Sequence, residues 1–151
     1  MRAVLPWLIL ILLGGGMTTL GPAHTLDARY YYSAAQASEY FSSLHSASPQ
    51  LARVYLFNEC ADFLFISTYS WIFVSILKRL FPGRKPIRLL GLIPGFFDLI
   101  ETGIIFICLL GWAKIESFPW LGIVTCVKWS SGAALVCLMA ILYFTRTKSP
   151  R

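Results

Sequence analysis

The sequence predicts an all-α fold: a polytopic membrane four-helix bundle, with a short amphipathic helix in the outer loop between spans 1 and 2. Three observations predict it. The first is composition: of 151 residues, 57% are hydrophobic, 15% aromatic and only 13% charged, and the mean hydropathy is +0.67. A soluble domain carries about a quarter charged residues, so this chain has too much apolar surface for one small soluble core. A soluble enzyme, a disordered chain and a nucleic-acid-binding module are thereby excluded. The second is a set of four apolar windows, residues 3–20, 55–77, 89–112 and 119–144, each close to the roughly 20 residues that cross a bilayer. Only the connection 21–54 is long, and no internal repeat divides the chain, which reads as a single membrane domain over 1–151.

Charge placement is the third observation. Arg2, Lys78, Arg79, Arg84, Lys85, Arg88, Arg146, Lys148 and Arg151 fall on one expected side with no acid among them. On the opposite side Arg29, Arg53 and Lys114 cancel Asp27, Glu39 and Glu116. Cations gather on the cytoplasmic side of membrane proteins, so both termini and the basic loop 78–88 are expected there. Which membrane is involved stays open, because several would give the same pattern. The basic loop would also attract anionic lipid headgroups at roughly 1 kcal/mol per residue. The net charge of +6 therefore calls for no nucleic acid.

Taken in order, the first window follows Arg2 and ends near Gly21-Pro22-Ala23-His24, as a cleaved signal peptide would. Its length exceeds the usual apolar core of such a peptide, about 7–15 residues, and favours an uncleaved helix. In the outer loop, Ser33 with Gln36 forms a capping box. Ala34, Ala37, Tyr40, Phe41 and Leu44 then recur at helical spacing. The resulting helix either lies on the membrane surface or packs on the bundle as a lid. Ser48 caps a second start with Pro49 at the first helical position, and nothing from Gln50 to Leu80 breaks that helix. Phe81-Pro82-Gly83 ends it, and Lys85-Pro86 turns into the third span. Pro94-Gly95 should kink that span or mark its true start. Trp112 and Trp120 sit where interfacial belt residues belong.

Five ionisable residues fall inside the spans: Glu59, Asp62, Asp98, Glu101 and Lys128. Each costs about 2.5–3.5 kcal/mol on insertion scales and usually faces the bundle interior. Glu59 with Asp62, and Asp98 with Glu101, are spaced i,i+3 and share a helix face. From a rise of 1.5 Å per residue, Asp62, Lys128 and Glu101 reach depths of roughly 10, 13 and 17 Å below the outer surface. One layer can therefore hold them. Two readings stand: a structural ion-pair network around Lys128, or a site for a cation, a proton or a polar headgroup, with Glu59 at its mouth. Four carboxylates with one lysine cannot all stay ionised in a low dielectric. On the third span Asp98, Glu101, Ile105, Cys108 and Trp112 make one face. Lys128, Ser131, Gly132 and Leu135 make the face expected to meet it.

Other chemistry is poorly supplied. Transition metals favour His or Cys ligands, yet His24 and His45 lie in the outer loop, far from the acids; whether any metal binds is left open, and no cofactor is expected. His45 beside Ser46 lacks a third catalytic group. Cys60, Cys108, Cys126 and Cys137 form no Cys-x-x-Cys pair and read as small packing residues, a redox pair between adjacent helices being the alternative.

Leu26-Asp27-x-Arg29-x-x-Tyr32-Ser33, Arg53-x-Tyr55, Asp62, Tyr69 and Asp98-x-x-Glu101 resemble the pattern of a family of small four-span bacterial integral membrane proteins. In that pattern Asn often follows the glutamate, where this chain has Thr102. The resemblance implies four helices, an uncleaved first helix, and an outer polar layer of Asp27, Arg29, Tyr32 and Arg53 near Tyr55. It implies no reaction. The leading expectation is a small non-catalytic membrane protein whose acidic cluster binds a cation, proton or lipid headgroup, or supports docking in a membrane assembly. The alternative is a membrane enzyme acting on lipid at the outer leaflet through paired carboxylates, and a third reading is an ion-coupled transporter acting as a dimer. Expected partners are membrane lipids and either another membrane protein or a second copy.

Overall fold

The computed structural model describes residues 5–20, 25–26 and 28–147. Regular structure among them is entirely helical: α1 (Leu5–Leu20), α2 (Ala34–Ala47), α3 (Pro49–Leu80), α4 (Lys85–Leu89), α5 (Ile93–Leu109) and α6 (Leu121–Thr147), with 3₁₀ turns at Leu90–Leu92 and Ile115–Ser117. Three stretches are long and apolar enough to cross a membrane, Gln50–Leu80, Lys85–Leu109 and Leu121–Leu142. Of the expected fourth, at 3–20, the described residues comprise the 16 of α1. Three candidate spans, not four, are thus present among the described residues.

Local chemistry sets most boundaries. Ser33 caps α2: its hydroxyl accepts from Gln36 N (3.2 Å), and the Gln36 side chain accepts from Ser33 N (2.8 Å). The corner into α3 is the single extended residue Ser48 (φ −172°, ψ 135°), whose hydroxyl accepts from Gln50 N at 3.1 Å. Helix α3 then runs unbroken for 32 residues, about 48 Å, as the uninterrupted stretch from Gln50 to Leu80 implied, with the apolar window 55–77 inside it. At its end Phe81 N donates to Leu77 O (2.8 Å), and Pro82 cannot extend the ladder. The third stretch begins at Lys85, four residues before the expected 89. The 3₁₀ turn at Leu90–Leu92 precedes Pro94, which stands in the first turn of α5, where its missing N–H breaks no bond.

Helix α5 stops before Trp112. Gly111 adopts φ +74°, a conformation that suits glycine. Gly111 N donates to Cys108 O and Trp112 N to Ile107 O, both at 3.0 Å, which is a Schellman motif. Trp112 therefore leaves the helix and is 78% exposed. It does not share the buried face of Asp98, Glu101, Ile105 and Cys108, as the spacing had implied.

Helix α3 is the hub, touching α1, α2, α4, α5 and α6, and the most extensive helix pairing is α5 with α6. Two apolar clusters fill the interior. One, at the α2 end, includes Leu26, Ala37, Phe41, Leu44, Tyr55, Ile105, Leu121 and Val124. The other, near the loop 81–84, is Leu77, Leu135 and Met139 with Phe73 and Leu80 against them. Of the two placements open for α2, the structure takes the lid: Ala37, Phe41 and Leu44 are buried against the bundle. The outside is apolar as well. Phe57, Leu64 and Trp71, seven residues apart, form an exposed stripe along α3, while the charged side chains of the mid-helix region point inward. That inversion suits a hydrocarbon solvent.

A candidate polar site between two apolar clusters

Asp98 and Glu101 lie on one face of α5, Lys128 and Thr125 on one face of α6, and Glu59, Asp62 and Tyr69 on α3. Lys128 Nζ sits 2.9 Å from Asp98 Oδ1 and 2.6 Å from Glu101 Oε2, so one ammonium joins both acids of the neighbouring helix. It also stands 5.4 Å from the ring centroid of Trp129, within cation–π range.

Hydroxyl groups complete the layer. Tyr69 Oη donates to Asp98 Oδ2 (2.7 Å), and Thr102 Oγ1 to Asp62 Oδ2 (2.6 Å). Glu101 Oε1 accepts from Tyr32 Oη (3.0 Å) and from the Thr125 hydroxyl. A carboxylate offers about four lone-pair directions, and those of Glu101 meet three donors. Hydrogen bonds to charged groups contribute about 1.5–3 kcal/mol each, and they offset the desolvation that burial imposes on the ions.

Tyr32 reaches this layer because its backbone lies against α6. A Cβ on Gly122 would fall 1.8 Å from Tyr32 O and 2.9 Å from Tyr32 C, so only glycine allows the approach. The neighbouring Tyr30 Oη bonds Ser130 Oγ at 2.8 Å, which ties the same segment to the next turns of α6.

All five expected site residues are less than one-tenth exposed: Glu59, Asp62, Asp98, Glu101 and Lys128. Four are linked through direct bonds or through Thr102, next in sequence to Glu101. Glu59 is 1% exposed, so it lies within the interior and does not form a mouth. Tyr32 covers Glu101 where the sequence suggested an opening. The described residues of the expected outer polar layer take these places. Tyr32 joins the buried acids, and Tyr55 is fully buried with its ring 5.8 Å from that of Tyr40. The Arg29 guanidinium stands 5.8 Å from the centre of the Tyr40 ring, and Arg53 is exposed. Asp27, like His24, Arg2, Lys148 and Arg151, lies outside the described residues.

Residue-level reading of the sequence did not find Thr102 and Thr125. A usable signal existed: Thr125 precedes Lys128 by three residues and so shares its helix face, and Thr102 stands where the resembling pattern has Asn, an alternative side-chain hydrogen bonder. Tyr69 entered only through the resemblance, although it lies seven residues after Asp62, two turns along the same side of α3.

Beyond this layer, Ser38 Oγ donates to Glu116 Oε1 (2.5 Å), fastening α2 to the turn at Ile115–Ser117. That bond, with smaller help from Lys114, holds the Glu116 carboxyl below its ordinary value. A cavity of about 400 Å³ lies beside it, lined by Phe41, Cys108, Lys114 and Glu116 among others. All four cysteines are free. Among the described residues no group of three His, Cys, Asp or Glu side chains is placed to hold a metal ion. No family model matches the chain, and no curated protein or solved structure matches it either.

Proposed function

We propose that this chain is a small, non-catalytic integral membrane protein whose buried polar layer holds an exchangeable proton beside a fixed ion-pair triad. The carrying observation is the imbalance of buried charge. Among the described residues one buried ammonium, already shared between Asp98 and Glu101, accompanies four buried carboxyl groups. Buried carboxylates are expensive inside a bilayer, and four of them in one layer favour a proton shared within it. A proton is favoured over a metal because the acids are not gathered into a three-ligand cluster.

A binding role is favoured over lipid chemistry at the outer leaflet because Asp98 and Glu101 are buried and already engaged by Lys128, Tyr69, Tyr32 and Thr125. An acid or base needs to come within hydrogen-bond reach of its substrate. The proposed orientation puts the basic loop 78–88 on the cytoplasmic side, following the charge asymmetry.

Infrared difference spectroscopy of the full chain in lipid tests the reading. The expected result is a protonated-carboxyl band at neutral pH that disappears on alkalinisation and is diminished in Asp62→Asn or Glu59→Gln. Absence of such a band from the wild type would sink the proposal. The layer would then be a fully ionised structural network.

A further inference from the structure

The loop that joins α3 to α4 is the most strongly charged part of the molecule. Lys78 and Arg79 close the last turn of α3, Arg84 and Lys85 open α4, and Arg88 follows four residues after Arg84. No acidic residue occurs between Asp62 and Asp98, so nothing local in sequence neutralises these five cations. Lys78, Arg79, Arg84 and Lys85 are exposed.

Two further observations make this more than a diffuse patch. A cavity of about 280 Å³ opens at the loop, with Leu80, Phe81 and Pro82 as apolar lining and Arg84 as its cationic member. The Nε of Arg88 is buried and has no hydrogen-bond partner among the described residues. A buried N–H without a partner calls for an explanation, and a guanidinium fork matches phosphate oxygens in geometry as well as charge. Arg84 is the N-cap of α4 and Arg88 stands in its last turn, so both guanidiniums belong to the same short helix. Leu89 and Leu90, exposed at 61% and 41%, follow at once, so the cations stand at the edge of exposed apolar surface.

We infer that the α3–α4 loop is a binding site for the phosphate of an anionic phospholipid, with Arg84 and Arg88 as its forks. The cavity beside Phe81 takes the glycerol region, and Leu89 and Leu90 face the acyl chains. The site is independent of the acidic layer and of any proton held there.

Native mass spectrometry of the full chain in mild detergent, titrated separately with phosphatidylglycerol and phosphatidylcholine, tests the inference. The wild type is expected to retain phosphatidylglycerol at a concentration at least roughly tenfold lower than phosphatidylcholine. R84Q/R88Q removes that preference with unchanged helicity. R53Q, which removes an exposed cation near the other end of α3, keeps it. Equal retention of the two lipids by the wild type overturns the site, and so does a preference undiminished in R84Q/R88Q. Inorganic phosphate added in excess separates the two sources of a phosphate group. Retained phosphatidylglycerol supports the lipid, whereas complete displacement makes free phosphate the ligand and overturns the lipid assignment.

Discussion

The contact between α5 and α6 and the contact between α1 and α3 are built on different physics. The first carries a buried ammonium shared by two carboxylates, with hydroxyls of Tyr32 and Tyr69 from two other segments closing the layer and Thr102 of α5 reaching Asp62. The second is apolar: Gly14 of α1 faces the Phe65 ring of α3, and Trp7, Leu8, Ile11 and Leu12 point away from the bundle. Lipid tails are as apolar as leucine, so burial against another helix offers little driving force inside a membrane. Close packing and interhelical hydrogen bonds carry the specificity instead. The α5–α6 pair therefore has one register, set by the reach of Lys128. Among the described side chains, the α1–α3 pair is defined by shape.

The largest expected effect breaks the first contact at its centre. Lys128→Met leaves Asp98 and Glu101 without their cation, and removing one partner of a buried ion pair costs about 3–5 kcal/mol. Denaturant unfolding in detergent checks the figure, and a loss under about 1 kcal/mol would show that the layer does not hold the helices together. An intermediate effect separates the layer from the strap that covers it. Tyr32→Phe removes one hydrogen bond to a carboxylate, about 1.5–3 kcal/mol. Gly122→Val is expected to cost at least as much, because it forces the Tyr32 backbone off α6. The pair should then be non-additive, as contacting sites are. Additive losses would mean that Gly122 acts on something other than the seating of Tyr32.

The smallest effect belongs to the second contact. A Cβ at position 14 would meet Phe65 Cε2 at 3.4 Å, at the edge of ordinary van der Waals contact, on a residue within a helix. Gly14→Ala is expected to change stability by no more than about 1 kcal/mol, in the stabilising direction that alanine gives a helix interior. Destabilisation by more than that in the same unfolding assay would place α1 among the specifically packed elements and erase the contrast.

Much of the architecture was legible because it follows short-range rules. The capping box at Ser33, the Ser48-Pro49 start and the Phe81-Pro82 stop depend on a few consecutive residues, and the structure uses each of them. The membrane class followed from composition, and the pairing of Asp98 with Glu101 on one face followed from helical period alone. The end of α5 shows where such rules run out. Period placed Trp112 on the buried face, but the left-handed Gly111 turned the chain before it.

Residue types and spacing determined by themselves that four acids and one lysine would lie within apolar helices, and which of them share a face. Only the tertiary structure decided which charges meet, that α2 covers the bundle, and that Tyr32 reaches Glu101 across a sequence separation of 69. The physical reason is that an ion pair or hydrogen bond needs its atoms within about 3 Å, while helical period fixes only direction around an axis. The missing coordinate is how closely two backbones approach. Here that distance is set at places such as Gly122, where the absence of a single carbon lets a distant segment come down onto α6.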